Sequence, residues 1–353
     1  MNLDDIHSFT QIDPGGYLAE IDGLPQQLQT GWEIGQGAAL PAWTGIRQVV
    51  IAGMGGSAIS ADLLAAYVAP QCITPVIVHR DYDLPAWAQG THTLLIASSH
   101  SGNTEETLSA LETARRQGCR CLTICTGGEL ARIARLADLP LWIFHHTGQP
   151  RAAVGLSFGL QLAALSRLDL IPDPTPELAS AIQAMQAVRP AYQAETPVVN
   201  NLAKRMAGQL MGRWVTVFGA GLLAPVARRW KGQINELAKA VAQFEILPEA
   251  DHNTLAGVLQ PEELLARSMA LFLRSPGDHP RNRLRSALTR QIMMLEGMNT
   301  DFIDAQGDTP LAQQWTCLLL GDYIAYYLAM GYGIDPNPIT AIADLKMRMQ
   351  AGG

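Results

Sequence analysis

The stretch Thr93-Leu94-Leu95-Ile96-Ala97-Ser98-Ser99-His100-Ser101-Gly102-Asn103-Thr104-Glu105-Glu106-Thr107 changes character twice. It begins as an apolar run of the kind that forms a strand buried on both faces. A turn dense in hydroxyls follows, with one glycine, and residues 108–116 then carry a helical pattern. A helix start offers unpaired N–H groups and a partial positive charge, and Ser and Thr hydroxyls add donors, so such a turn can hold a phosphate. Ser101 or Asn103 could equally serve as an ordinary helix cap. The turn alone does not choose.

Working outward, the same unit recurs. Gln48-Val49-Val50-Ile51-Ala52 reads as a buried strand, Gly53-Met54-Gly55-Gly56-Ser57-Ala58 as a turn, and 59–67 as a helix. Further strands are expected at 75–79, 119–126 and 141–145. Alternating strands and helices imply a parallel sheet with crossover helices, and ligands at the C-terminal ends of the strands. Pro172-Asp173-Pro174-Thr175-Pro176 marks a boundary, because proline-rich polar runs stop helices. It divides the chain into lobes 1–174 and 175–353. The second lobe repeats the α/β plan, with helices at 177–188, 225–242, 311–330 and 338–349. Its strands are expected at 214–218, 243–246, 269–273 and 299–303. Two copies of one plan suggest duplication. After its third strand, however, the second copy has Arg274-Ser275-Pro276-Gly277 in place of the hydroxyl-rich turn. A single phosphate site, in the first lobe, is the simpler expectation.

The 353 residues suit two domains, and 48% hydrophobic against 16% charged residues supports large cores. A net charge of −7 speaks against a broad nucleic-acid surface, so any phosphate bound is small and held by local donors. Cys72, Cys119, Cys121, Cys125 and Cys317 lack metal-ligand spacing and are read as reduced thiols. The acidic start Met1-Asn2-Leu3-Asp4-Asp5 is no targeting signal, and the apolar run 152–165 is too short to span a bilayer. A soluble cytoplasmic protein that binds neither nucleic acid nor membrane is expected.

The first turn has a competing reading. Gly53-x-Gly55-x-x-Ala58 fits a dinucleotide fingerprint, with Asp81 where a ribose-binding acid would lie. Two hydroxyl-rich turns at one sheet edge nevertheless suit a compact phosphate monoester better than a pyrophosphate.

Gly53-Met54-Gly55-Gly56-Ser57 taken with Ser99 to Glu106 resembles the sugar isomerase (SIS) domain. More narrowly, the chain is similar to the bifunctional phosphoglucose/phosphomannose isomerases nearly end to end. The similarity takes in Gln149-Pro150-Arg151-Ala152, Asn235-Glu236-Leu237-Ala238-Lys239, Asp251-His252-Asn253, Gly307-Asp308-Thr309-Pro310, Leu320-Gly321-Asp322-Tyr323 and Gly333-Ile334-Asp335-Pro336. The resemblance implies two SIS-type lobes, each a parallel sheet flanked by helices. It implies interconversion of glucose 6-phosphate or mannose 6-phosphate with fructose 6-phosphate, without cofactor or metal. The phosphate-binding positions carry over as Gly56, Ser57, Ser99, Ser101 and Thr104. Arg151 matches the arginine facing the enediolate, Glu236 the base, His252 the ring-opening histidine and Lys346 the C-terminal lysine. Thr340 matches a threonine associated with accepting the C2 epimer. The resemblance also implies a homodimer in which two subunits build each active site, the histidine reaching across.

The residue types suit that chemistry. A half-buried carboxylate can shuttle a proton between C2 and C1, a fixed cation suits the enediolate oxygens, and imidazole can move the ring-opening proton. Taken alone, Glu236 reads as a helix-surface partner of Lys239, and His252 as a loop histidine. Ile342, Lys346 and Met349 share a helix face, so Lys346 either snorkels at an edge or points into a site. His100 is read as lining. His145-His146 lacks a third metal ligand. Two further classes stay open: a non-catalytic sugar-phosphate-binding regulator and a NAD(P)-binding oxidoreductase.

Overall fold

A computed structural model describes residues 2–352. In chain order, helices α1 (Ile6–Ile12), α2 (Tyr17–Asp22) and α3 (Leu24–Gly37) precede strand β1 (Gln48–Ala52). Then come α4 (Gly55–Val68), β2 (Val76–His79), β3 (Thr93–Ser99), α5 (Glu105–Arg116), β4 (Arg120–Cys125), α6 (Gly128–Leu136), β5 (Leu141–Ile143) and α7 (Val154–Arg167). The second half runs α8 (Thr175–Val188), α9 (Leu202–Leu210), β6 (Trp214–Ala220), α10 (Ala224–Leu237) and β7 (Ala242–Leu247). It continues with α11 (Glu262–Leu265), β8 (Ser268–Arg274), α12 (Pro280–Leu295), β9 (Asn299–Asp304), α13 (Pro310–Tyr332) and α14 (Thr340–Gly352).

The strands form two all-parallel sheets, ordered β2-β1-β3-β4-β5 and β7-β6-β8-β9. Strand for strand, the second order repeats the first four strands of the first, as a duplicated plan requires. In each sheet the order reverses between the first and third strands of the lobe, and a sheet opens its ligand crevice at such a point. The turn after β1 and the turn after β3 therefore meet. They are joined there by the His100 N–H, which donates to Ser57 Oγ at 3.2 Å.

Strand β3 is buried along its whole length, which is why its apolar run is so legible. The sequence pattern predicts that the helix carrying Glu236 runs on to residue 242. It stops instead at Leu237, and Ala242 opens β7. No glycine signals that stop. Lys239 takes a left-handed φ of 51°, and its Nζ donates to the carbonyls of Glu236 at 2.9 Å and Leu237 at 3.3 Å. A lysine thus does what a C-terminal glycine usually does.

The largest apolar core runs through both halves of the chain, with α13 buried along most of its length. Where α10 crosses α13, a Cβ at Gly321 would overlap the Trp230 indole, whose Nε1 donates to the Cys317 carbonyl at 3.0 Å. Beside that crossing, Arg229 of α10 and Asp322 of α13 form a buried two-point ion pair at 3.1 and 2.8 Å. Burial opposes the Arg229 charge, but the Asp322 carboxylate outweighs it and raises the guanidinium pKa. Among the described residues, no helix is long and apolar enough to cross a membrane.

Candidate active site

Helix α4 begins at Gly55, inside the stretch read from sequence as the first glycine turn, and no side chain caps it. Gly56 has to be glycine, because a Cβ there would run into the Pro150 carbonyl. The Pro150–Ala152 turn thereby sits directly on the α4 N-terminus, and Arg151 arrives with it. Helix α5 is also open: its N-cap residue Thr104 makes no capping hydrogen bond. Thr104 Oγ1 instead meets Ser99 Oγ at 2.9 Å, while Ser99 Oγ accepts from the Gly102 N–H and Ser101 Oγ from the Asn103 N–H. Asn103 caps, but it caps α6, accepting from the Glu129 N–H at 2.9 Å. The capping alternative for Ser101 and Asn103 at α5 is therefore not what the fold uses. Two uncapped helix starts and ordered hydroxyls meet at one sheet edge, a suitable cradle for a phosphate.

Next to that edge lies a cavity of about 280 Å³ lined by Gly55, Gly56, Arg151, Gln233 and Glu236. The guanidinium of Arg151 is buried and lies 3.7 Å from the half-buried Glu236 carboxylate. It is fixed from three sides. It donates to the carbonyls of Pro336 at 2.6 Å and Asn337 at 2.8 Å, and it stacks over the Tyr17 ring at 5.1 Å. Lys239 Nζ holds the same C-terminal loop through the Asp335 carbonyl at 2.8 Å. Arg80, Arg228 and Lys231 add cationic side chains to the cavity wall, with Asp62 bridging Arg80 and Arg228. In a chain of net charge −7, this concentration of positive charge favours an anionic ligand.

The chain's relatives agree with that chemistry. A family model described as the bacterial phospho-glucose isomerase C-terminal SIS domain matches residues 199–349. Over 330 residues the chain is 37% identical to the bifunctional phosphoglucose/phosphomannose isomerase of Caldicellulosiruptor bescii, covering 92% of this chain and 96% of that one. The enzyme of the same name from Aquifex aeolicus is 31% identical over 310 residues, covering 87% and 92%.

The chain belongs to the bifunctional phosphoglucose/phosphomannose isomerase family.

The fold is shared more widely. A glucose-6-phosphate isomerase-like protein from Thermus thermophilus superposes with a TM-score of 0.66 at 20% identity, covering 96% of this chain and 98% of that one. The C-terminal domain of glucosamine-fructose-6-phosphate aminotransferase from Francisella tularensis gives 0.70 at 14% identity, covering 91% and 98%.

Of the residues matched to the isomerase family, Gly56, Arg151 and Glu236 line one cavity, and Ser57, Ser99, Ser101 and Thr104 form the adjoining turns. His252 is exposed on a short turn (Glu249–His252), and Lys346 and Thr340 lie on the exposed helix α14. None of these three lines the cavity within one chain. Sequence reasoning missed Tyr17, Arg80, Arg228 and Gln233. A signal for Gln233 was present: Arg229, Gln233 and Glu236 recur at helical spacing and share the face of α10 that meets the cavity.

Proposed function

We propose that this chain interconverts glucose 6-phosphate, and mannose 6-phosphate, with fructose 6-phosphate through a cis-enediol. The observation that carries the reading is the buried Arg151 guanidinium held 3.7 Å from Glu236, beside two open helix starts. Gly56, Ser57, Ser99, Ser101 and Thr104 would take the phosphate. Glu236 would carry the proton between C2 and C1, and Arg151 would face the charge that develops on the enediolate oxygens. Gln233, buried one turn before Glu236, adds an amide to the same wall. The base and the electrophile thus come from different halves of the chain and need the inter-lobe contact to meet.

His252 is assigned to ring opening and Lys346 to the C-terminal lysine of the site. Both are exposed in the single chain and lie outside its cavity, and the reading assigns the histidine to the cavity of a second subunit in a homodimer. Thr340 is assigned to substrate selectivity. It opens α14 three residues after Asn337, whose carbonyl holds Arg151. We divide the chain at residues 174 and 175: each part contains one sheet, and α8 starts the second. The location assigned is cytoplasmic.

The test is a coupled assay on purified, EDTA-treated protein with each hexose 6-phosphate. Turnover of glucose 6-phosphate and fructose 6-phosphate is expected. No turnover of any hexose 6-phosphate by folded protein would overturn the reading.

A further inference from the structure

The Ser99–Thr104 turn contains a histidine that the chemistry above does not use, and the fold ties that histidine to a second one. His100 Nε2 lies 2.9 Å from His146 Nδ1, and His146 Nε2 lies 3.2 Å from Glu20 Oε2. An ionised carboxylate only accepts, so His146 Nε2 carries the proton that Glu20 receives. That leaves His146 Nδ1 as an acceptor, and His100 donates to it through Nε2–H. With both rings neutral, this is the one arrangement of protons that completes the chain.

We propose that Glu20, His146 and His100 form a hydrogen-bonded strut that positions the phosphate turn against the segment carrying Arg151, making all three positioning residues for the substrate phosphate. This rests on the isomerase reading above.

His100 sits at a junction. Its N–H donates to Ser57 Oγ at 3.2 Å, and its carbonyl accepts from the Thr126 N–H at 3.0 Å and the Thr126 hydroxyl at 2.7 Å. Its ring lies edge-on to Phe144 at 5.7 Å and to His146 at 5.1 Å. The turns after β1, β3, β4 and β5 are thus joined through one residue. The far end of the strut is Glu20 on α2, which also accepts from Gln27 Nε2 at 3.3 Å. One turn earlier, the same helix presents Tyr17 beneath the Arg151 guanidinium. His146 itself lies five residues before Arg151. Helix α2 therefore grips both ends of the site: Arg151 through Tyr17, and the phosphate turn through Glu20.

The charge states agree with this arrangement. The hydrogen bond from His146 holds the Glu20 carboxyl below its usual range, although burial opposes it. Burial, then the neighbouring His146, pushes His100 down to about 4, so its ring is neutral and free to donate to His146.

The test compares His146→Ala, His100→Ala, His100→Gln and His146→Asn. A Gln amide nitrogen overlies His Nε2, and an Asn oxygen overlies His Nδ1. The readouts are kcat and KM with fructose 6-phosphate, and Kd for inorganic phosphate by isothermal titration calorimetry. Both alanine variants are expected to raise KM and the phosphate Kd about tenfold, the scale of one lost hydrogen bond, with kcat within about threefold. His100→Gln should recover most of that loss, whereas His146→Asn, which keeps the acceptor for His100 but loses the donor to Glu20, should recover only part of it; both keep the test open if an alanine variant fails to fold. Unchanged KM and phosphate Kd in folded variants, or a fall in kcat with KM held, would overturn the strut. Phosphate binding needs no turnover. A wild-type protein that isomerises nothing, yet loses phosphate affinity with His146, would overturn the isomerase reading alone.

Discussion

Asp322→Asn tests what holds α10, the helix that carries Glu236, against α13. Arg229 and Asp322 are each 4% exposed, and their closer contact is 2.8 Å. At an effective dielectric near 20, that separation corresponds to about 6 kcal/mol of attraction, much of it offset by the loss of hydration. Removing the carboxylate charge strands a buried guanidinium, at a net cost of about 3–5 kcal/mol. Replacing both residues, as Arg229→Met with Asp322→Leu, removes the stranded charge along with the pair and should recover most of the loss. Urea unfolding followed by circular dichroism, applied to the wild type, Arg229→Met, Asp322→Leu and the double variant that combines them, supplies the four corners of a double-mutant cycle. The expected outcome is a large positive coupling, with the double variant more stable than Asp322→Asn. The reasoning is refuted if Asp322→Asn unfolds at the wild-type midpoint, or if the double variant loses the sum of the two single losses.

Glu236→Gln should lower kcat by about 10²–10⁴-fold and leave the affinity for inorganic phosphate nearly unchanged; loss of phosphate binding would make Glu236 structural. Gly321→Ala should destabilise by about 1–3 kcal/mol, because its new Cβ overlaps the Trp230 indole, and a thermal melt measures it. His100 takes a proton less readily folded, at about 4, than unfolded, at the ordinary 6.5. The unfolded chain therefore binds more protons between those values, and stability should be lost as pH falls from about 6.5 towards 4. Urea midpoints across that range should decline less steeply in His100→Gln; an identical decline would remove His100 as a contributor.

The strands were legible because strands buried in parallel sheets are nearly continuous apolar runs, and the residues from Gln48 to Ala52 and from Thr93 to Ser99 need no partner to declare themselves. The end of α10 was not legible, because its stop depends on Lys239 finding carbonyls that only the folded helix presents. The same contrast runs through the site. The residues of the phosphate turn are consecutive, and the face of α10 bearing Glu236 follows from helical spacing, so local order carries that information. Arg151 is different. Its charge is visible in the sequence, but its place is set by carbonyls 185 and 186 residues further on, and by Tyr17 far upstream. A backbone carbonyl leaves no trace in residue identity, and strand order decides which loops share an edge. The sequence by itself thus determined the two parallel α/β lobes and the chemical groups available. Only the tertiary structure decided that Arg151 would be buried beside Glu236, and that His100 would turn towards His146 and Glu20.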